Sequence, residues 1–399
     1  MVKKYGNIFT HQRELHQYNI NLLKKKNWHY SEKNNNFDNF KKGKQIMKGF
    51  PYASSSKLRI KLLLENTIFN TDFIYFTKKN YLEVINEQSH IFKYDLLFLK
   101  KSNGSQGKHV FPIRNKNDVI KIMENKYHKY HENTNFILEK GISKPLLFKE
   151  KKFDLRIYLL FVRKDDTYYS YLFPQWFLRT SNTVYNADSL KKKNMLTNTS
   201  VNGKKANNQF VFQKISNING ENMNTLNKNL YNCLFYFSKK WKEYLKDANF
   251  RYFNKELTNG LQFNLFGIDI IFDEKLNPYI LEINYNPLFA ASKSIKDIRI
   301  LKRKMWKYII YDFINSYSET STLKTNHFID LNNEKMSIND FDKLAETCNQ
   351  NIINDDEDID IDDNSYINND ENDNDYDSDD NTNDEKHMIQ NIKSFLGLS

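Results

Sequence analysis

Cysteine is almost missing from this chain: Cys233 and Cys348 are the only two in 399 residues. Two thiols cannot build a disulfide framework or a cysteine metal cluster, and they suit a reducing cytosolic setting. No apolar run is long enough to cross a bilayer, and Met1-Val2-Lys3-Lys4-Tyr5 opens onto a polar stretch rather than an apolar signal core. A cytoplasmic protein without a membrane partner is therefore expected. Zinc-finger spacing and RNP-like aromatic motifs are lacking too, which argues against nucleic acid. There is no internal repeat. Between Asp355 and Glu385 there is no Lys or Arg but 16 acidic residues, so the other 368 residues carry +27 although the whole chain carries only +11.

Such a basic body seeks a polyanion: an acidic protein tail, a nucleic acid or an anionic surface. Asn and Lys interleaved with Tyr and Phe also suggest a bias in coding composition, to which part of the charge belongs. The length allows two or three domains or one large enzyme core.

Periodicity predicts helices over Leu58–Leu64, Asp118–Tyr130, Leu226–Leu245 and Ile295–Tyr317. Extended runs are expected at Tyr94–Lys100, His109–Ile113, Phe136–Lys140 and Phe153–Val162. The order implies an α+β enzyme with mostly antiparallel sheets and helices on one side. Beyond about Thr320 the chain turns Asn/Asp-rich and reads as a disordered acidic tail.

The most informative segments are Phe266–Phe272 and Tyr279–Pro287, two strand-like runs around Asp273-Glu274-Lys275-Leu276-Asn277-Pro278. Folded as a hairpin, they place Asp269 opposite Glu282, with Asn284 on the same face and Gly267 opposite Asn284, leaving room beside it. Ile268, Ile270, Leu281 and Ile283 fall on the other face. Two carboxylates and an amide oxygen on one buried face call for a cation, and hard oxygen donors suit Mg²⁺. The alternative is an amphipathic hairpin whose polar face is simply wet.

Lys100 closes an apolar strand before a loop containing Gly104 and Gly107, then Lys108. Backbone N–H groups and ammonium groups of such a loop can wrap a triphosphate; the alternative is an ordinary surface hairpin, since Gly/Ser/Asn turns are common. It is not a P-loop, because Ser102 and His109 stand where Gly and Ser/Thr are required. Further on, Lys152, Asp154 and Arg156 alternate on one strand face while Phe153, Leu155 and Ile157 take the other. The apolar sequence after Arg156 favours a buried sheet with a functional charged face over a solvated one.

In order along the chain, Pro145-Leu146-Leu147, Lys152-Phe153-Asp154-Leu155-Arg156, Leu196-Thr197-Asn198, Phe266-Gly267-Ile268-Asp269 and Leu281-Glu282-Ile283-Asn284-Tyr285-Asn286-Pro287 resemble the tubulin–tyrosine ligase-like family. The resemblance covers roughly residues 28–317 and favours a glutamylase-type member. It implies an ATP-grasp fold, with an N-terminal domain over 1–94, a central subdomain over 95–165, a C-terminal subdomain over 166–320 and the acidic tail over 321–399. It also implies roles. Lys100, Gly104 and Gly107 would hold ATP phosphates; Glu139 and Lys140 the adenine side; and Lys152, Asp154, Thr197 and Asn198 the nucleotide. Asp269, Glu282 and Asn284 would ligate Mg²⁺. Arg156, Arg179 and Lys100 would be the catalytic cations, Arg179 engaging the incoming amino acid. Departures from the family pattern are Lys101 in place of Pro, His109 where Gly is frequent, and Met195 where His is usual.

The implied chemistry is ATP-dependent addition of a free amino acid, glutamate first, to carboxylates of tubulin tails through an acyl phosphate. A cytoskeleton-associated monomer is expected. Lys302, Arg303, Lys304 and Lys307 form a candidate tail- or microtubule-facing patch, unless they are merely a solvated helix face. The acidic segment would mimic a tubulin tail, be modified at Glu357, Glu371 or Glu385, or be simple low complexity. Rival readings are a ligase for a non-tubulin carboxylate, a tubulin tyrosine ligase, and a non-catalytic microtubule-binding module.

Overall fold

The computed structural model describes Lys25 and residues 29–31, 36–39, 44–48, 57–104, 107–164, 167–202, 209–215, 217–218, 220, 223–248, 261–285, 287, 296–317, 323–332 and 338–354. The acidic segment and its three glutamates lie outside the described residues.

Strands β1 (His29–Ser31), β2 (Asn36–Asn39) and β3 (Lys44–Lys48) lead to helix α1 (Lys57–Leu63). Then come β4 (Phe73–Thr77), α2 (Tyr81–Glu87), β5 (Leu97–Lys101), β6 (Val110–Ile113), α3 (Lys116–Lys126) and β7 (Asn135–Lys140). The middle of the chain gives β8 (Leu147–Phe148), β9 (Lys151–Lys164), β10 (Thr167–Leu172), β11 (Phe177–Thr180) and β12 (Gln209–Val211). Helix α4 (Met223–Ala248) precedes β13 (Leu261–Phe272) and β14 (Pro278–Tyr285); α5 (Lys296–Tyr308), β15 (Ile329–Asp330) and α6 (Ile338–Asn354) follow.

Two sheets result. The smaller runs β4-β7-β5-β6, antiparallel throughout. The larger follows β1-β2-β3-β13-β9-β10-β15, with β8 and β11 on β9, β12 on β11 and β14 on β13. Its only parallel pairing among the described residues is β13 with β3. This is the expected α+β architecture with mostly antiparallel sheets. The expected boundaries do not follow the sheets, however. The small sheet draws on both sides of residue 94, and β9 belongs to the large sheet although it precedes residue 166.

β9 and β13 are nearly continuous apolar runs because both of their faces are covered. On one face Leu155, Ile157, Leu159, Phe161, Phe266 and Ile268 pack with α4, which contributes Leu230, Leu234, Phe237 and Trp241. On the other, Tyr158, Leu160, Val162, Phe177 and Leu265 pack with Ile298, Leu301 and Met305 of α5. The small sheet has its own core around Leu97, Leu99, Val119 and Phe136. Helix α3 begins with a capping box: Asn115 accepts from the Asp118 N–H, and the Asp118 side chain accepts from the Asn115 N–H.

Two departures stand out. The tail does not begin at residue 321. β15 pairs with β10, and Phe341 and Cys348 of α6 join the main core. An apolar stripe at helical spacing overrides the polar composition there. The helix expected over Ile295–Tyr317 is α only to Tyr308 and continues as a π-helix over Ile309–Asn315.

Candidate active site

The hairpin takes the expected register up to one point. Asp269 lies opposite Glu282 and Gly267 opposite Asn284, but the register shifts between Asp269 and Ile270. This bulge corrects the expected facing of Leu281, which lines the central cavity while Ile280 takes the core position. Gly267 does not leave empty space either. A Cβ there would meet Pro287 Cβ at 2.8 Å and Arg156 Cδ at 3.2 Å.

The cavity, open to solvent with an empty volume of about 740 Å³, lies between the two sheets. It is lined by Lys100, Gly107, Glu139, Lys140, Lys152, Asp154, Thr197, Asn198, Asp269 and Glu282, which converge from across the chain. Arg156 and Arg179 stand behind Asp269. Asn284 touches the set through Glu282, its Nδ2 donating to Glu282 Oε1 at 3.2 Å. Gly104 is not in the lining; its carbonyl accepts from Lys57. Gly107 has φ of 70°, and a Cβ there would meet Asn198 Oδ1 at 3.1 Å, so glycine lets the loop and the Thr197-Asn198 segment approach.

The charged strand of β9 owes its geometry to register. Arg156 lies opposite Asp269 on β13, and Asp154 opposite Arg179 on β11. Arg156 bonds Asp269 through both Nε and Nη2, the latter at 2.9 Å. Arg179 Nε donates to Asp154 Oδ1 at 2.6 Å, and its Nη2 lies 2.9 Å from Asp269 Oδ2 without a well-directed hydrogen bond. Thr197 Oγ1 donates to the other oxygen of Asp154.

Two residues on α1 were absent from the expected set. Lys57 Nζ sits 3.3 Å from Glu282, and Lys61 Nζ 2.8 Å from Glu139, which Lys100 also engages. The signal was present in the sequence. In Lys57-Leu58-Arg59-Ile60-Lys61-Leu62-Leu63 three cations stand in an apolar helix, and α1 is buried throughout. Cations on a buried helix need anionic partners, and an i, i+4 pair of lysines points two of them to one side.

Electrostatics follow from these contacts. Burial pushes the Glu139 carboxyl up, but Lys100 and Lys61 outweigh it and hold it at about 2. Burial, then the neighbouring Lys100, lowers the Lys152 ammonium to about 8 despite Asp154 and Glu139. Burial pushes the Glu282 carboxyl up, but Lys57, Asp269, Arg156 and Asn284 together hold it below the carboxylate range. Asp269 is pushed up by burial and by Glu282, against the pull of Arg156 and Arg179.

That pair tests the fit to a divalent cation. Two carboxyls facing each other across a buried strand pair repel unless positive charge sits near both, which here comes from Lys57 and the arginines. Oxygen donors from Asp269, Glu282 and Asn284 match magnesium, which takes few protein ligands and fills its shell with water and phosphate oxygens. No cluster of three His, Cys, Asp or Glu side chains is found among the described residues. The residues present fit the ion.

The expected tail-facing patch on α5 needs correction. Lys304 is buried and Lys302 half-buried, so the four residues do not form one solvated face. Helix spacing puts Lys302 on the inner stripe with Ile298 and Trp306.

Two mostly antiparallel sheets around a lysine-rich cavity with an opposed carboxylate pair are consistent with the ATP-grasp architecture that the family resemblance implies. The family model described as Tubulin-tyrosine ligase family matches residues 16–327, and the chain belongs to that family. Among curated proteins it is 27% identical over 233 residues to tubulin glycylase 3B of Drosophila melanogaster, covering 54% of this chain and 29% of the relative. It is 26% identical over 219 residues to mouse tubulin polyglutamylase TTLL6, covering 50% and 25%. With the probable alpha-tubulin polyglutamylase Ttll1 of Tetrahymena thermophila it shares 26% over 243 residues, covering 57% of each. The chain thus spans between a quarter and just over half of the length of these relatives.

Proposed function

We propose that this chain is an ATP-dependent ligase that joins glutamate to carboxylates of tubulin tails through an acyl phosphate. The observation that carries the reading is the opposition of Asp269 and Glu282 on the floor of a cavity walled by Lys57, Lys100 and Lys152, with Arg156 paired to Asp269 behind it. That donor set suits a metal-bound triphosphate. Family membership and the printed names of the relatives, polyglutamylases and a glycylase, support tubulin as the acceptor and leave the amino acid to experiment.

In this reading Lys100, Lys140 and Lys152 hold the nucleotide, and Gly107 lets the loop close against Asn198. Magnesium, when bound by Asp269, Glu282 and Asn284, supplies charge neutralisation at the transferring phosphoryl group. Lys100 and Arg156 neutralise the same group from the protein side. A tail carboxylate oxygen bonds to the γ-phosphorus as the bond to the ADP oxygen breaks. The amine of the amino acid then bonds to the acyl carbon, phosphate departs, and the amine loses a proton. Arg156 and Arg179 keep two anionic reactants together that would otherwise repel. The basic body speeds capture of acidic tails in a salt-sensitive way. Action on cytoplasmic microtubules as a monomer completes the proposal; among the described residues no helix is long and apolar enough to cross a membrane.

The test is incubation of the purified protein with ATP, Mg²⁺, tubulin and each labelled amino acid in turn. Glutamate incorporation that requires Lys100 and Glu282 is expected. Equal incorporation by Lys100→Met and Glu282→Gln variants would refute the assignment.

A further inference from the structure

One short stretch of chain touches both sheets at the cavity. In it the helical turn Lys192–Met195 leads into Leu196-Thr197-Asn198. Met195 and Leu196 pack with Leu96 and Phe98 of the small sheet and its approach, while Thr197 Oγ1 donates to Asp154 on β9 of the large one. Two buried asparagines brace the stretch. Asn194 Nδ2 donates to the Val184 carbonyl at 2.6 Å, and its Oδ1 accepts from the Asn186 N–H at 3.2 Å. Asn202 Nδ2 donates to the Leu196 and Asn198 carbonyls at 2.7 and 3.1 Å. Buried amides bonded in this way fix the backbone they touch.

Lys192 reaches from this brace to the far end of the glycine loop. Its Nζ donates to the Lys108 carbonyl at 2.7 Å and to the Gly107 carbonyl at 3.3 Å, and stands 3.9 Å from the centroid of the Phe111 ring. An ammonium group carries three donors, so one side chain can hold two successive carbonyls while the ring face attracts the same cation. Its neighbours Lys191 and Lys193 are exposed, whereas Lys192 is half-buried. The contacts, not the run of charge, single it out. Gly107 meets the same stretch from another side: a Cβ there would lie 3.1 Å from Asn198 Oδ1 and from Val201 Cγ2. Gly107, Thr197 and Asn198 all line the cavity.

We propose that Lys192 is a positioning residue that ties the Gly107–Lys108 backbone to the stretch bearing Thr197 and Asn198, so that both are presented to ATP as one preformed unit. It acts through the loop backbone. Without the tie, that backbone must be ordered when the nucleotide binds, and the cost shows as lost affinity. The inference rests on the nucleotide role of the cavity in the ligase reading above and adds a residue that sets how well the loop is prepared.

The test compares the wild type with Lys192→Met, Lys192→Arg and Lys193→Met, the last removing the same charge from an exposed neighbour. Amide hydrogen exchange of the peptide covering residues 107–111 is followed without nucleotide, and calorimetry measures affinity for a non-hydrolysable ATP analogue with Mg²⁺. Lys192→Met is expected to speed exchange in that peptide but not along β9. It should weaken the analogue by about ten-fold or more, the effect of losing a charge-assisted hydrogen bond. Ligation turnover at saturating ATP should stay within about two-fold. Lys192→Arg, which also offers several donors and stacks on a ring, should recover most of the affinity, and Lys193→Met should match the wild type. Unchanged loop exchange or unchanged affinity in Lys192→Met overturns the proposal and leaves the ligase reading standing. An equal loss in Lys193→Met also overturns it, by reducing the effect to general charge, and so does faster exchange throughout the chain, by giving Lys192 a role in the fold alone. If the wild type does not bind the analogue, the ligase reading fails and the proposal with it.

Discussion

Arg156 grips Asp269 with two prongs from the neighbouring strand, Nε on one carboxylate oxygen and Nη2 on the other at 2.9 Å. The register of β9 against β13 sets the two side chains face to face. A proposed magnesium ligand is therefore oriented before any ion arrives. Lysine cannot reproduce the planar fork. Arg156→Lys should lower kcat by about 100-fold, a loss typical of removing oriented charge from a transition state. Single-turnover ligation would measure it, and a wild-type rate would contradict the role.

Glu282 balances Lys57 on α1. Glu282→Gln removes a metal donor and leaves that ammonium without its anion, at a cost of about 1–3 kcal/mol. The Mg²⁺ concentration needed for half-maximal ATP binding should rise at least ten-fold. Calorimetry across a magnesium series would show it, and thermal melting would confirm a retained fold.

Glu139 gives a pH signature. Its pKa falls from an ordinary 4.5 to about 2 in the fold. The stabilisation it contributes is complete above about 4.5 and is lost as pH falls toward 2. Glu139→Gln should flatten the dependence of stability on pH in that window. It should also cost about 3–5 kcal/mol at neutral pH, because Lys61 and Lys100 lose their shared partner. Urea melts between pH 2 and pH 7 would check both.

Lys152 works in the opposite direction. With its pKa lowered to about 8, it is charged at pH 7 and loses its charge as pH rises through 8. ATP affinity should weaken by roughly three- to ten-fold between pH 7 and pH 9. Lys152→Met should bind weakly throughout with a flatter profile. Equal slopes in both proteins would rule out Lys152 as the titrating group.

Gly267 carries no chemistry, yet a methyl group there would press on Arg156 Cδ at 3.2 Å and Pro287 Cβ at 2.8 Å. Gly267→Ala should displace the Arg156 fork and cut kcat by about ten-fold or more with little change in ATP affinity, since misplacement by an ångström is enough. Nucleotide binding measured beside turnover separates the two effects.

Much of this site was legible because strands alternate with a strict period. Knowing where the Asp273–Pro278 turn falls fixes Asp269 against Glu282 and puts Lys152, Asp154 and Arg156 on one face. The bulge after Asp269 was not legible, because strict alternation carries no mark of an extra residue and the shift lies in the β13–β14 pairing alone, the β9 register running on without a break. Lys57 and Lys61 were missed for a different reason. Partners far along the chain, Glu282 and Glu139, explain them, and local pattern alone does not name those partners. In α6 the pattern was present but diluted: Phe341, Leu344, Ala345 and Cys348 recur at helical spacing within an Asn/Asp-rich stretch, and they pack on the main core.

The family match stops at His327, two residues before β15 begins. A protein trimmed to that limit would bare the hydrogen-bonding edge of β10 at Tyr171 and Leu172 and uncover the apolar seat of Phe341. Bare edges beside greasy surface recruit other chains. Expression of the catalytic body alone should thus end after Asn354 rather than at the homology border if it is to stay dispersed in solution.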